Sequence, residues 1–343
     1  MHTKRTWTPM RHIPMNRLRG LIAALAALCS SAVVAADYDS EHPAVEPFVA
    51  EMQTEHGFSA DYVRGLLAQA ERKQSIIDAI SRPAERVRPW HEYRAIFITD
   101  KRIERGLAFW EEHREALERA EKTYGVEPEI ILAIIGVETF YGGNKGSHRV
   151  IDALTTLGFD YPPRADFFRR QLKAYLVLAR EQNVDPLSLT GSYAGAMGYP
   201  QFIPSSYQAF AVDFDEDGTT DIWNNPVDAI GSAANYFHEH RWQHRAPVAI
   251  QANVQGDDFR QGLTIPDLEA RHSVAQLREW GWQLPDTLSD EAKLMAFEFD
   301  AGEQMQYWVG LDNLYVITRY NRSVMYAMVV HQLAELLREA KQQ

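Results

Sequence analysis

The chain reads as an α+β protein dominated by helices, and three observations carry that reading. Residues 128–140 form an almost unbroken apolar run, opened by Pro128 and followed by Gly142-Gly143. Two long patterns, Arg164–Asn183 and Ser323–Ala340, repeat apolar residues at the spacing of a helix face. Between Arg245 and Tyr320 the texture changes to short alternating runs, which mark a smaller β-rich section.

Composition sets outer limits. The 343 residues are 45% hydrophobic with a formal charge of −12, the profile of an ordinary globular protein able to bury a large core. The first 36 residues stand apart: Arg17 and Arg19 precede an apolar, small-residue run from Leu21 to Ala36, the pattern of a secretory signal that is already complete from Met15. Removing it strips five basic residues and no acid, so the mature charge becomes −17. Nucleic acid is excluded as a partner by that charge, because phosphate neutralisation needs Lys and Arg. The single cysteine, Cys29, lies inside the signal, so the mature chain has no disulfide. Leu28 precedes it, where lipid-anchoring cleavage wants a small residue, so a free periplasmic protein is expected rather than an outer-membrane lipoprotein.

Taken in order, helices are expected at Val45–His56, at Ala60–Ala70 with Ser59 as N-cap, and at Gln74–Ile80. Residues 87–97, with Pro89, Trp90 and Tyr93, read as an irregular aromatic loop feeding a cleft. Thr99–Tyr124 reads as one long amphipathic helix, followed by the apolar helix, a loop, and a short helix at Val150–Leu157. Further on, Val227–Arg241 and Val274–Trp280 read as helices, while Val248–Val254 and Leu314–Thr318 carry strand signals.

The apolar helix holds the first chemical candidate. Pro128 suits a first helical turn, and the glycines suit a left-handed ending. A run of this length is a core helix, since a membrane span needs about 20 apolar residues. Glu138 interrupts it beside Ile131, Ile134 and Ile135. Loss of water there raises a carboxyl pKa and makes a proton donor near neutral pH. A helix-end Glu that reaches solvent, or pairs with Lys145 or Arg149, is the other reading.

Three further motifs stand out. Asp213, Asp215, Asp217, Gly218, Thr219 and Asp221 follow the oxygen-rich spacing of an EF-hand loop, which favours Ca²⁺ over softer-ligand metals. Position 12 is Asn224, so closure falls to Asp228; an acidic turn capping a helix is the plainer alternative. The Gly/Pro-rich segment Ser192–Tyr207 offers Ser192 and Gln201 as neutral hydrogen-bonders, or is a simple tight loop. Tyr320, Asn321 and Tyr326 stand before the last helix as sugar-stacking or core residues.

In combination, the Glu at the end of an apolar helix, Ser-Tyr-Ala-Gly-Ala-Met-Gly, Gln-Phe-Ile-Pro-Ser-Ser, the acidic loop and Tyr-Asn-x-Ser-x-x-Tyr resemble the membrane-bound lytic murein transglycosylase B family from about Pro47 to Leu337. The resemblance implies a lysozyme-like core and cleavage of the MurNAc–GlcNAc β-1,4 bond of peptidoglycan. It implies Glu138 as the single catalytic acid and base, with Tyr93, Ser192, Gln201, Tyr236, Tyr320, Asn321 and Tyr326 at cleft positions. The chain departs from the family in lacking a clear lipobox and in a longer metal loop before Asp228.

The expected order is then a signal at 1–36, a helical domain at 37–127, a lysozyme-like core at 128–244 with the EF-hand-like loop at 213–228, a small β-rich domain at 245–319, and a C-terminal helix at 320–343 that completes the cleft. A structural Ca²⁺, no organic cofactor, glycan strands as the partner, a place in cell-wall enzyme complexes and a monomeric state complete the expectation.

Lysozyme-type glycosidases ordinarily use two carboxylates. With one in an apolar setting, the expected route has Glu138 protonate the glycosidic oxygen, the 2-acetamido group stabilise the anomeric centre, and the C6 hydroxyl attack it to give 1,6-anhydromuramic acid. A hydrolytic muramidase and a non-catalytic, calcium-dependent peptidoglycan-binding module are the competing readings.

Overall fold

The computed structural model describes residues 37–39, 41–81, 88–264, 268 and 271–343; the expected signal lies outside them. The helices before the apolar run are α1 (Val45–His56), α2 (Ala60–Leu67), α3 (Gln74–Ser81), α4 (Trp90–Phe97), α5 (Asp100–Glu112) and α6 (Arg114–Tyr124). The apolar run is α7 (Pro128–Thr139), and β1 (His148–Arg149), α8 (Val150–Asp160) and α9 (Ala165–Glu181) follow it. The chain continues through β2 (Thr190–Gly191), α10 (Pro204–Phe210), α11 (Pro226–Glu239), β3 (Ala249–Val254) and β4 (His272–Ser273). It closes with α12 (Val274–Glu279), β5 (Trp282–Gln283), β6 (Lys293–Asp300), β7 (Met305–Gly310), α13 (Asp312–Tyr320) and α14 (Val324–Gln342).

Four expectations are corrected. Residues 90–97 are helical, not an irregular loop: Pro89 is extended at φ −61°, ψ 156° and launches the helix rather than breaking it. The long helix expected from Thr99 divides at His113, whose φ of −117° is not helical. Leu314–Thr318 lies in α13, because its β-branched residues pack into the core as part of an amphipathic helix. Ser59 occupies the cap position of α2 but makes no side-chain cap bond.

Three cores do not follow chain order. The first joins α4–α7, α11, α13 and α14 with the inner face of β6. The second joins α1–α3 with α8, α9 and the segment 197–223, which includes α10. The third lies on the far side of an antiparallel sheet of order β4-β6-β7-β3-β5. In β6, Met295, Phe297 and Phe299 enter the first core while Leu294 and Ala296 enter the third, so the sheet is covered on both faces.

Helix α7 is the axis of the first core, with Ile131, Leu132, Ile134 and Ile135 fully buried. Burial of each such side chain contributes about 1.5–3 kcal/mol. Its end differs from the glycine stop expected: Phe140 and Tyr141 take the left-handed conformation at φ 53° and 57°, before Gly142 at 78°. The Tyr141 N–H closes the end on Ile135 O at 3.3 Å. Left-handed backbone costs a non-glycine residue about 1–2 kcal/mol. Burial of the Tyr141 ring between Gly106 of α5 and Gly136 of α7 offsets it.

A Cβ on Gly136 would lie 2.6 Å from Tyr141 ring atoms, whereas one on Gly65 in α2 meets nothing within 4 Å. Gly65→Ala is therefore expected to raise the melting temperature, by about 1 kcal/mol of helix propensity. Gly136→Ala is expected to lower it through overpacking costs of about 1–3 kcal/mol. Thermal melts of the two variants check this, and equal shifts would contradict the wedge.

Candidate active site

Glu138 sits in the last turn of α7, partly exposed, with Ile134, Ile135 and Val137 buried around its base. Its carboxyl is pushed up to about 7, chiefly by burial and against the opposing effect of the hydrogen bond from Tyr326. The position at a helix C-terminus acts in the same direction as burial, because the negative end of the dipole disfavours a carboxylate. Among the described residues no other acid shifts it, and neither Lys145 nor Arg149 pairs with it.

Three tyrosines surround this carboxyl. Tyr326, in the first turn of α14, donates to Glu138 Oε1, and Ser323 caps that helix by accepting its N–H at 3.3 Å. Tyr320 ends α13, and its hydroxyl donates to Pro200 O at 2.5 Å. Burial raises the pKa of both rings, with the Glu138 charge adding to it. Tyr93 on α4 is raised by the same two causes, so all three stay neutral donors over the working pH range.

Other sequence candidates hold backbone. Tyr236 packs on Tyr320 at 4.6 Å between ring centroids and donates to Arg319 O at 2.7 Å, bracing the turn that carries Tyr320. Gln201, left-handed at φ 51°, donates to Lys145 O at 3.2 Å and Gly198 O at 2.9 Å, joining the loop after α7 to the Gly/Pro-rich segment. Ser192 Oγ accepts the Ala196 N–H at 3.0 Å within its own turn. Asn321 is exposed at the break between α13 and α14, where its carbonyl accepts the Ser323 N–H at 2.7 Å.

Sequence reasoning missed the residues that hold Glu138 in place. Thr139, buried at 1% exposure, places Oγ1 at 3.1 Å from Tyr199 O and accepts the Gly142 N–H at 3.0 Å. Arg102 on α5 donates to Gly136 O at 3.2 Å and to Ile96 and Phe97 carbonyls at the end of α4. One guanidinium thus ties the Tyr93 helix to the Glu138 helix. A helix-interior Arg gives no sign of this in a hydropathy pattern.

The acidic loop is partly gathered. One oxygen each from Asp213, Asp215 and Asp228 lies within 4.8 Å of the others. Asp228 is fully buried and accepts N–H groups of Phe214 at 2.7 Å and Asp221 at 2.8 Å. The remaining candidates turn inward: Asp217 accepts the Thr219 N–H at 2.8 Å, and Asp221 accepts those of Trp223 and Asn224 at 2.9 Å. Among the described residues no basic side chain pairs with any of Asp213, Asp215 and Asp228, so a hard oxygen-binding cation fits the repulsion among them. The loop is anchored by Arg119, whose guanidinium lies 4.1 Å over the Phe214 ring, and by Gly231, where a Cβ would strike Phe214 at 2.3 Å. Its far end meets the site, since Ile222 O accepts the Tyr199 N–H at 2.9 Å and Tyr199 O faces Thr139.

A carboxyl near 7 in the folded chain and near 4.5 when unfolded gives a signed prediction. Between those values the unfolded chain loses its proton first, so stability falls as pH rises through the window, by about 3 kcal/mol in full. Glu138→Gln removes the dependence. Its melting temperature is expected to match the parent near pH 4 and to exceed it by several degrees above pH 7, read by calorimetry. Identical melting temperatures at both pH values would contradict the assignment.

The chain matches the Transglycosylase SLT domain family over residues 40–335. It is 42% identical over 313 residues to membrane-bound lytic murein transglycosylase B of Escherichia coli (strain K12), covering 89% of this chain and 85% of that one. The soluble lytic transglycosylase SltB1 of Pseudomonas aeruginosa superposes with a TM-score of 0.83 at 56% identity, covering 88% of this chain and 100% of SltB1. The Escherichia coli lytic transglycosylase Slt35 in complex with calcium gives 0.83 at 42%, covering 90% and 96%. By sequence and by fold, then, this chain belongs to the SLT transglycosylase family and is a lytic murein transglycosylase.

Proposed function

We propose that Glu138 alone performs both proton transfers of the lytic reaction. The observation that carries this is one carboxyl held near neutrality by burial, with no second acid perturbing it among the described residues. Neutral Glu138 protonates the glycosidic oxygen of the MurNAc–GlcNAc bond as it breaks, and the 2-acetamido oxygen of the same sugar closes on the anomeric carbon. The carboxylate left behind then takes the proton of the muramic C6 hydroxyl while that oxygen attacks the anomeric carbon, breaking its bond to the acetamido oxygen and restoring the acetamido group on C2. The 1,6-anhydro product forms with no water consumed, aided by the effective molarity of a tethered nucleophile.

In this reading Tyr326 orients the carboxyl, while Tyr93 and Tyr320 wall the reacting ring. Ser192, Gln201, Tyr236 and Asn321 shape the cleft floor and its rim. Asp213, Asp215 and Asp228 hold a structural Ca²⁺, with Asp217, Thr219 and Asp221 completing the loop, and the enzyme works in the periplasm once its signal is removed. Among the described residues no helix is long and apolar enough to cross a membrane.

Digestion of intact sacculi in ¹⁸O-labelled water is expected to release anhydro-ended fragments without label, read by mass spectrometry. Labelled reducing ends would identify a hydrolase instead. Glu138→Gln is expected to lose at least a thousandfold in rate while remaining folded, and a fully active variant would discard the assignment. Chelation is expected to lower the melting temperature of the parent and leave that of Asp228→Asn unchanged. A parent melting curve unaffected by chelator would reduce the loop to an acidic turn.

A further inference from the structure

A groove on the other side of α14 from Glu138 plays no part in the reaction above. It consists of two adjoining cavities of about 710 and 630 Å³, both lined by Ala249, His331 and Glu335. In the smaller one the strand alternation places Ala249 and Gln251 of β3 and Gln306 and Trp308 of β7 on one face of the sheet, opposite α14. Gln251 and Trp308 are direct cross-strand partners, and Gln332 of α14 faces them across the groove.

The chemistry of this lining is specific. Trp308 is partly exposed and, among the described residues, has no aromatic ring stacked on it, while Trp90, buried deeper in the same cavity, stacks on Phe299 at 4.6 Å. Around this indole, whose Nε1 donates to Gln306 Oε1 at 3.4 Å, stand three carboxamides, which both donate and accept. The charged groups are occupied in part: Arg94 Nε donates to Gln332 at 2.6 Å, and Glu335 pairs with Arg338 at 2.7 Å. At the junction of the two cavities stands His331, partly exposed, with its Nδ1 buried. Burial pushes that imidazole down to about 4, so it adds no charge to the groove wall. An indole face ringed by amides beside a neutral imidazole suits an uncharged ring bearing hydroxyl and acetamido groups.

We propose that this groove is a second glycan-binding site, in which an N-acetylated sugar of the murein strand stacks on Trp308 and hydrogen-bonds to Gln251, Gln306 and Gln332. Helix α4 is the shared wall: Tyr93 belongs to the catalytic cleft, and Trp90 and Arg94 line the groove. Glycan held in the groove keeps the enzyme on an insoluble sacculus between cleavages. The proposal rests on the enzyme's action on murein and is independent of how Glu138 does its chemistry.

The test uses tri-N-acetylchitotriose as probe, titrated by calorimetry into the Glu138→Gln protein. Two binding events are expected, and Trp308→Ala or the exposed-site variant Gln251→Ala with Gln306→Ala should abolish one of them. In the active background, the same variants are expected to raise the apparent KM on sacculi at least fivefold and leave turnover of a short soluble murein tetrasaccharide unchanged. The amide double variant keeps the test open if loss of the indole impairs folding. A single binding event untouched by these variants overturns the proposal, as does equal loss on both substrates or occupation of the groove by free stem peptide instead of chitotriose.

Discussion

The structure depends on the withdrawal of one carboxyl group from water. Glu138 stands at the end of a helix whose remaining side chains are almost all buried, so the environment that gives α7 its stability also penalises ionisation of this acid in its last turn. The penalty lasts only while the carboxyl is kept from turning out to solvent. Tyr326 prevents that rotation by bonding Oε1, and the hydrogen bond opposes the pKa rise without cancelling it.

Geometry is held by less conspicuous contacts. Tyr141 fills the gap left by Gly106 and Gly136, Arg102 binds the ends of α4 and α7, and Thr139 fastens the end of α7 to Tyr199. Tyr199 is bonded in turn to Ile222, inside the acidic loop. This chain connects the acidic loop to the end of α7 through backbone and small side chains. The loop therefore belongs to the support of the Glu138 carboxyl, although it contributes no atom to it.

Glu138 and the acidic loop were legible in the sequence because each breaks or follows a pattern: an acid in an apolar helix, and oxygens at fixed spacing around a glycine. The helical stop was not, because it lies on Phe140 and Tyr141 rather than on the adjacent glycines, and tertiary packing of the Tyr141 ring decides it. Leu314–Thr318 misled as a strand because β-branched residues suit both a strand and a buried helix face. Arg102 and Thr139 were invisible, since a side chain that bonds to a distant carbonyl has no signature in local spacing. The cleft tyrosines were placed by family resemblance, and their separate tasks, donating to the acid or bracing a turn, emerged only from the coordinates.

The most direct measurement is the titration of the Glu138 side-chain carbonyl by carbon-13 NMR, assigned by its absence in the Gln variant. Withdrawal from water predicts a midpoint near 7. A midpoint at the ordinary glutamate value, near 4.5, would mean that the carboxyl is hydrated and ionised at neutral pH, and the account of a single acid acting in both proton transfers would not stand.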